Sequence, residues 1–151
     1  MGFLKPNIMD RSSDRHFLAP HLDHVMEHRF SWDSEEVYWL TRKPKAFLNR
    51  AIGQKAWAIS KSELEDGDGG FFLEGSFFVS KIAKRRYPDH WKFEVFGEDV
   101  QIFGDGVHLD ETAFPLIDSL IEKQNHFHFG FNDLTDEDVI EAFERIESDF
   151  M

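Results

Sequence analysis

The chain has 151 residues with 17 Phe, 4 Trp and a formal net charge of -12, which suits one ordered domain with a sizeable core rather than two domains. It contains no Cys, so disulfides, thiol nucleophiles and cysteine-held zinc are excluded. No run approaches the roughly 20 apolar residues of a membrane helix. The opening MGFLKPNIMD has no stretch of signal-peptide length, and Pro6 stands where a myristoylation motif requires Ser or Thr. The expectation is a soluble, cytoplasmic protein with no membrane partner.

Taken in chain order, residues 1–34 form an amino-terminal extension in which Leu18, Leu22 and Val25 recur at helical spacing, with Pro20 in the first turn. EEVYWLT (35–41) alternates and is rich in strand formers. PKAFLNRAIG (44–53) reads as a short helix with Pro44 near its start and Gly53 just past its end. KAWAIS (55–60) alternates as a strand, and LEDGDGG (64–70) is a turn. FFLEGSFFVSKI (71–82) predicts one long strand bent at Gly75 by a bulge. HWKFEVFG (90–97) and VQIFG (100–104) predict two strands about a Gly97-Glu98-Asp99 turn. A helix starting near Pro115, a strand at HFHFGF (126–131) and a final helix follow. In the last helix Thr135 is the expected cap, and Val139, Ile140, Phe143 and Ile146 form its apolar face. The fold class is therefore α+β: a small curled mixed sheet or partly open barrel with flanking helices, in a single domain over 1–151.

Charge is unevenly distributed. Residues 42–92 hold 11 Lys/Arg against 6 Asp/Glu, whereas the chain after Lys92 holds 2 against 16. The basic middle includes SKIAKRRYPDHW, where Lys84, Arg85 and Arg86 stand beside Tyr87 and Trp91. Such a patch can grip phosphate; it can equally be a solvated strand end that protects a sheet edge. Trp57, alternating with apolar neighbours, has the pattern of a core residue, while Trp39 and Trp91 flank charged residues.

The segment YWLTRKPKAF resembles the opening of EVE-type domains of the PUA-like superfamily, in Tyr38, Trp39, Leu40, Arg42, Pro44 and Phe47. DGDGGFFLEG and FNDLTDEDVIEAFERI are similar to later pieces of that family, so the resemblance spans scattered parts of 36–147, within an expected barrel domain over 35–147. It implies a partly open barrel that binds RNA, or receives a modified base flipped out of DNA. Candidate stacking platforms are Trp39, Trp57, Tyr87 and Trp91, each such contact being worth about 1–3 kcal/mol per base. Candidate phosphate contacts are Arg42, Lys43, Lys45, Lys84, Arg85 and Arg86.

Other signals are thin. His21, His24 and His28 could share a helical face, and His126 and His128 one face of a strand, but bare spacing is a weak metal signal, and no metal or cofactor is assigned. The Gly-Asp turn fails as a calcium loop, because Gly70 and Phe77 stand where oxygen ligands are needed. No nucleophile elbow, phosphate-binding glycine loop or zinc-protease motif is present, so the expectation leans away from an enzyme. The rival expectation is an acidic protein-interaction domain that docks a basic protein on its carboxyl-terminal half.

Overall fold

The computed structural model describes residues 12–22, 30–32, 37–41, 43–61, 71–84, 93–109 and 131–151. These form an α+β unit of strands β1 (Ser12–Leu22), β2 (Phe30–Trp32) and β3 (Val37–Thr41), helix α1 (Lys45–Asn49), strands β4 (Gln54–Lys61), β5 (Phe71–Lys84), β6 (Phe93–His108) and β7 (Asn132–Leu134), and helix α2 (Glu137–Ser148). The strands make one mixed sheet in the order β2-β3-β6-β5-β4-β1-β7, open between β2 and β7 among the described residues. β1 runs parallel to β4, and the other described pairings are antiparallel.

Successive side chains on a strand point to opposite faces, and both faces of this sheet are buried. Phe17, Ala19, Ala56, Ala58, Phe77, Val79 and Val95 pack on one face with Leu48 and Ala51 of the α1 region. Leu18, Trp57, Ile59, Leu73, Phe103 and Leu134 pack on the other with Val139 and Phe143 of α2. Trp57 lies 5.5 Å from Phe143, centroid to centroid, at the middle of the second core.

The two cores share strand β5 because of one extra residue. Ala58 pairs with Gly75 but Ile59 pairs with Leu73, so Glu74 bulges out of the ladder. Without that insertion Leu73 and Phe77, four residues apart, would share a face. With it, Leu73 joins the α2 side and Phe77 the α1 side. The bend expected at Gly75 is thus a β-bulge beside it.

Three expectations are corrected. Residues 16–22 belong to strand β1, not to a helix, and β1 lies between β4 and β7 rather than in an extension outside the sheet. The spacing of four between Leu18 and Leu22 satisfies a strand's period of two as well as a helix's 3.6, and Phe17, Leu18 and Ala19 are all buried because β1 has cores on both sides. The Gly97-Glu98-Asp99 turn is an irregularity inside one long strand: Asp99 takes φ 54 while β6 stays paired with β5. The cap of α2 is Asp136, whose side chain accepts from the backbone N–H groups of Asp138 and Val139; Thr135 lies one residue too early.

Strands Val37–Thr41 and Gln54–Lys61 and the apolar face of the last helix lie where the sequence pattern puts them, while the helix after Pro44 is shorter than expected, Lys45–Asn49, with turns over 50–53. Of the expected strand 126–131 only Phe131 is described, and β7 begins just after it at Asn132. The turn at 64–70, the helix from Pro115 and residues His24, His28, His126 and His128 lie outside the described residues. His21 lies in β1, so the proposed helical His face loses its first member.

Two measurements test this packing. A Cβ added at Gly97 would overlap the Phe77 ring, so Gly97→Ala should cost about 1–3 kcal/mol in urea unfolding. Asp136→Ala should cost about 1 kcal/mol through loss of the cap, and Thr135→Ala much less.

Candidate nucleic-acid interface

Strand register brings the end of β3 and the end of β5 to one end of the sheet. Thr41 pairs with Phe93, and Phe93 pairs with Lys84. These three residues therefore stand in a row across β3, β6 and β5, spanning about 10 Å at the usual spacing between strands. β3 ends at that row with Thr41, and β5 ends there with Lys84.

The lysines hold distinct positions. Lys43 is half-buried, its backbone N–H donates to Thr41 Oγ1 at 3.1 Å, and its Nζ lies 4.8 Å from the centre of the Phe47 ring. Lys45 opens α1 and is exposed, as is Lys84. Lys81, also exposed, lies with Nζ 4.6 Å from the Phe96 ring. Among the described residues none of Lys45, Lys81 and Lys84 forms an ion pair, and all three are exposed. Trp39 occupies the register position between Phe30 and Val95. Arg42, Arg85, Arg86, Tyr87 and Trp91 lie outside the described residues.

Trp57 has no exposed surface, and a ring without exposed surface cannot stack on a base. Its indole N–H donates to Nδ1 of the buried His16 at 3.0 Å, which supplies the partner a buried indole needs. The alternation of KAWAIS already carried this outcome.

Arg50 was not singled out by sequence. It is exposed, caps the carboxyl end of α1, and its guanidinium lies 5.4 Å from the Phe47 ring centre. Its spacing of three from Phe47 was the available signal, since residues three apart on a helix are neighbours.

The opposite face carries the opposite charge. Glu137, Asp138, Glu141 and Glu144 of α2, with Asp149 just beyond, are exposed. Glu147 instead turns inward, pairing with Lys55 and accepting from Ser76 Oγ. Lys55 in turn lies 4.7 Å from the Trp57 ring centre. This clasp ties the last turn of α2 to β4 and β5. A cleft of about 420 Å³ opens beside the first turn of α2, lined by Arg15, His16, Asp133 and Glu137 among others. Its charges are mixed, so it favours no single ionic ligand.

Among the described residues no helix is long and apolar enough to cross a membrane, and no three His, Asp or Glu residues cluster as a metal site would require.

Because Lys55 and Glu147 are only 14% and 12% exposed, Glu147→Ala should destabilise by about 1–3 kcal/mol. Glu147→Gln, which keeps an acceptor for Ser76, should cost less. Thermal unfolding of both variants checks the order.

No protein-family model matches the chain, and no curated protein matches its sequence.

Proposed function

We propose that this protein is a noncatalytic nucleic-acid-binding module that grips phosphate with the basic end of its sheet. The observation that supports this reading is the row Thr41–Phe93–Lys84, because it aligns the end of β3, shortly before Lys43 and Lys45, with the end of β5 at Lys84. Exposed lysines release condensed counterions when they meet phosphate, and this makes binding favourable despite a net charge of -12. The acidic α2 lies on the other face and limits nonspecific adhesion to polyanions. The PUA-like, EVE-type resemblance adds an aromatic pocket for a flipped base in RNA or modified DNA; of its four candidate rings, Trp57 is withdrawn by burial.

A second reading follows from α2 itself. Its exposed Glu137, Asp138, Glu141 and Glu144 form a face that a basic protein could dock on, with charge complementarity speeding association.

The two readings separate by charge reversal. Fluorescence anisotropy of labelled single- and double-stranded RNA and DNA, with and without modified cytosine, should show binding that weakens steeply with salt. Lys45→Glu/Lys84→Glu and Arg85→Glu/Arg86→Glu should each lower affinity at least about tenfold, since each removes two phosphate contacts of roughly 1 kcal/mol or more. Glu141→Lys/Glu144→Lys should leave it intact or raise it. Absence of binding at low salt would remove the nucleic-acid reading, and loss of a basic partner on the Glu141/Glu144 reversal would favour the second.

A further inference from the structure

The cleft beside the first turn of α2 is built from three elements. Arg15 and His16 come from β1, Leu134 from β7, and Glu137 and Ile140 from α2. Its volume of about 420 Å³ falls within the range of small-molecule sites. Leu134 and His16 are buried, and Leu134 and Ile140 belong to the second core, so the deep part of the cleft is anchored on packed residues. The His16 ring is fixed there by the Trp57 indole N–H, which donates to its Nδ1 at 3.0 Å. The Arg15 backbone N–H donates to Gln54 Oε1 at 3.1 Å, which fixes the start of that guanidinium's stem.

Two opposite charges line this cleft without meeting. Arg15 and Glu137 are both exposed, and among the described residues neither forms an ion pair. An anion held by Arg15 would lie near the acids of the first turn, and a cation held by Glu137 would lie near Arg15, so a ligand of one charge is attracted and repelled at once. A ligand that carries both charges satisfies both residues. The helix end itself is not an anion site. Asp136 already accepts from the N–H groups of Asp138 and Val139, and with Glu137 and Asp138 it opposes the positive end of the dipole.

We infer that this cleft binds a small zwitterion, an amino acid or dipeptide with an apolar side chain. Its carboxylate meets the Arg15 guanidinium, whose parallel N–H donors match two carboxylate oxygens. Its ammonium meets the Glu137 carboxylate, and its side chain lies against Leu134 and Ile140. None of these residues belongs to the basic end of the sheet, so the inference stands apart from the nucleic-acid reading.

The test is a chemical-shift titration of the full chain by NMR with L-leucine and L-leucyl-L-leucine. Two further probes carry one charge each: 4-methylpentanoate lacks the ammonium, and 3-methylbutylamine lacks the carboxylate. At least one zwitterion should bind and move the amide signals of Arg15, Leu134 and Glu137. Each single-charge probe should bind at least about tenfold more weakly, the loss expected for one contact between charged groups. Arg15→Gln and Glu137→Gln should each weaken the zwitterion about tenfold. Arg15→Gln should leave 3-methylbutylamine no weaker, and Glu137→Gln should leave 4-methylpentanoate no weaker. Melting temperatures without ligand should not move, since both side chains are exposed. The tighter of the two zwitterions assigns the ligand as a free amino acid or as a short peptide. The inference is overturned if neither zwitterion binds at about 10 mM, well above the concentration that fills a millimolar site. It is overturned equally if a single-charge probe binds as tightly as the zwitterion, or if either substitution leaves zwitterion binding unchanged.

Discussion

The extra residue at Glu74 decides which side of the sheet each half of β5 serves. The strand is 14 residues long, too long to run flat against either helix alone. The bulge turns Leu73 toward α2 and Phe77 toward α1, so one continuous strand supplies both cores. β6 follows the same path with irregularities of its own: Asp99 at φ 54, then Gly104 and Gly106 at φ 59 and 97. Such bulges bend strands and increase their twist, which is how two long neighbours stay paired around a curved sheet. The Glu74 carboxylate displaced by the bulge accepts from Ser60 Oγ, so the insertion leaves a half-buried charge with a partner.

Once the two faces are defined, the charges follow them. α1 covers one core and brings Lys43, Lys45 and Arg50 to that side. α2 covers the other and turns Glu137, Glu141 and Glu144 outward. The sheet lies between these two fields, so each is presented to solvent on its own side. The ion pair of Glu147 with Lys55, backed by Ser76 and the Trp57 ring, is the point at which the acidic helix is anchored rather than displayed. A chain with a net charge of -12 can thus keep a basic surface, because local potential depends on which charges are near and not on their sum.

Several features were readable from short-range pattern. The strand at Trp39, the helix between Pro44 and Gly53, the bend near Gly75 and the Val139–Phe143 face each express a period or a breaker within a dozen residues. At β1, Leu18 and Leu22 fit two periods at once, and only its place between β4 and β7 chooses between them. Asp136 rather than Thr135 caps α2 because the choice depends on which backbone N–H groups the carboxylate can reach. In the candidate site, Lys43, Lys45 and Lys84 were found as charges, Trp57 was removed by burial, and Arg50 was missed although its spacing from Phe47 was visible.

By itself the amino-acid sequence determined the local elements and the uneven charge, since both are properties of neighbouring residues. It also determined that a core of aromatic residues would form, because so many large apolar side chains cannot stay in water. Only the tertiary structure decided that β1 pairs in parallel with β4, that β6 lies between β3 and β5, and that Thr41, Phe93 and Lys84 fall in line. Those outcomes depend on pairing between segments tens of residues apart, and such pairing is selected by the fit of whole faces rather than by any local pattern. The alignment of the ends of β3 and β5 is of this second kind.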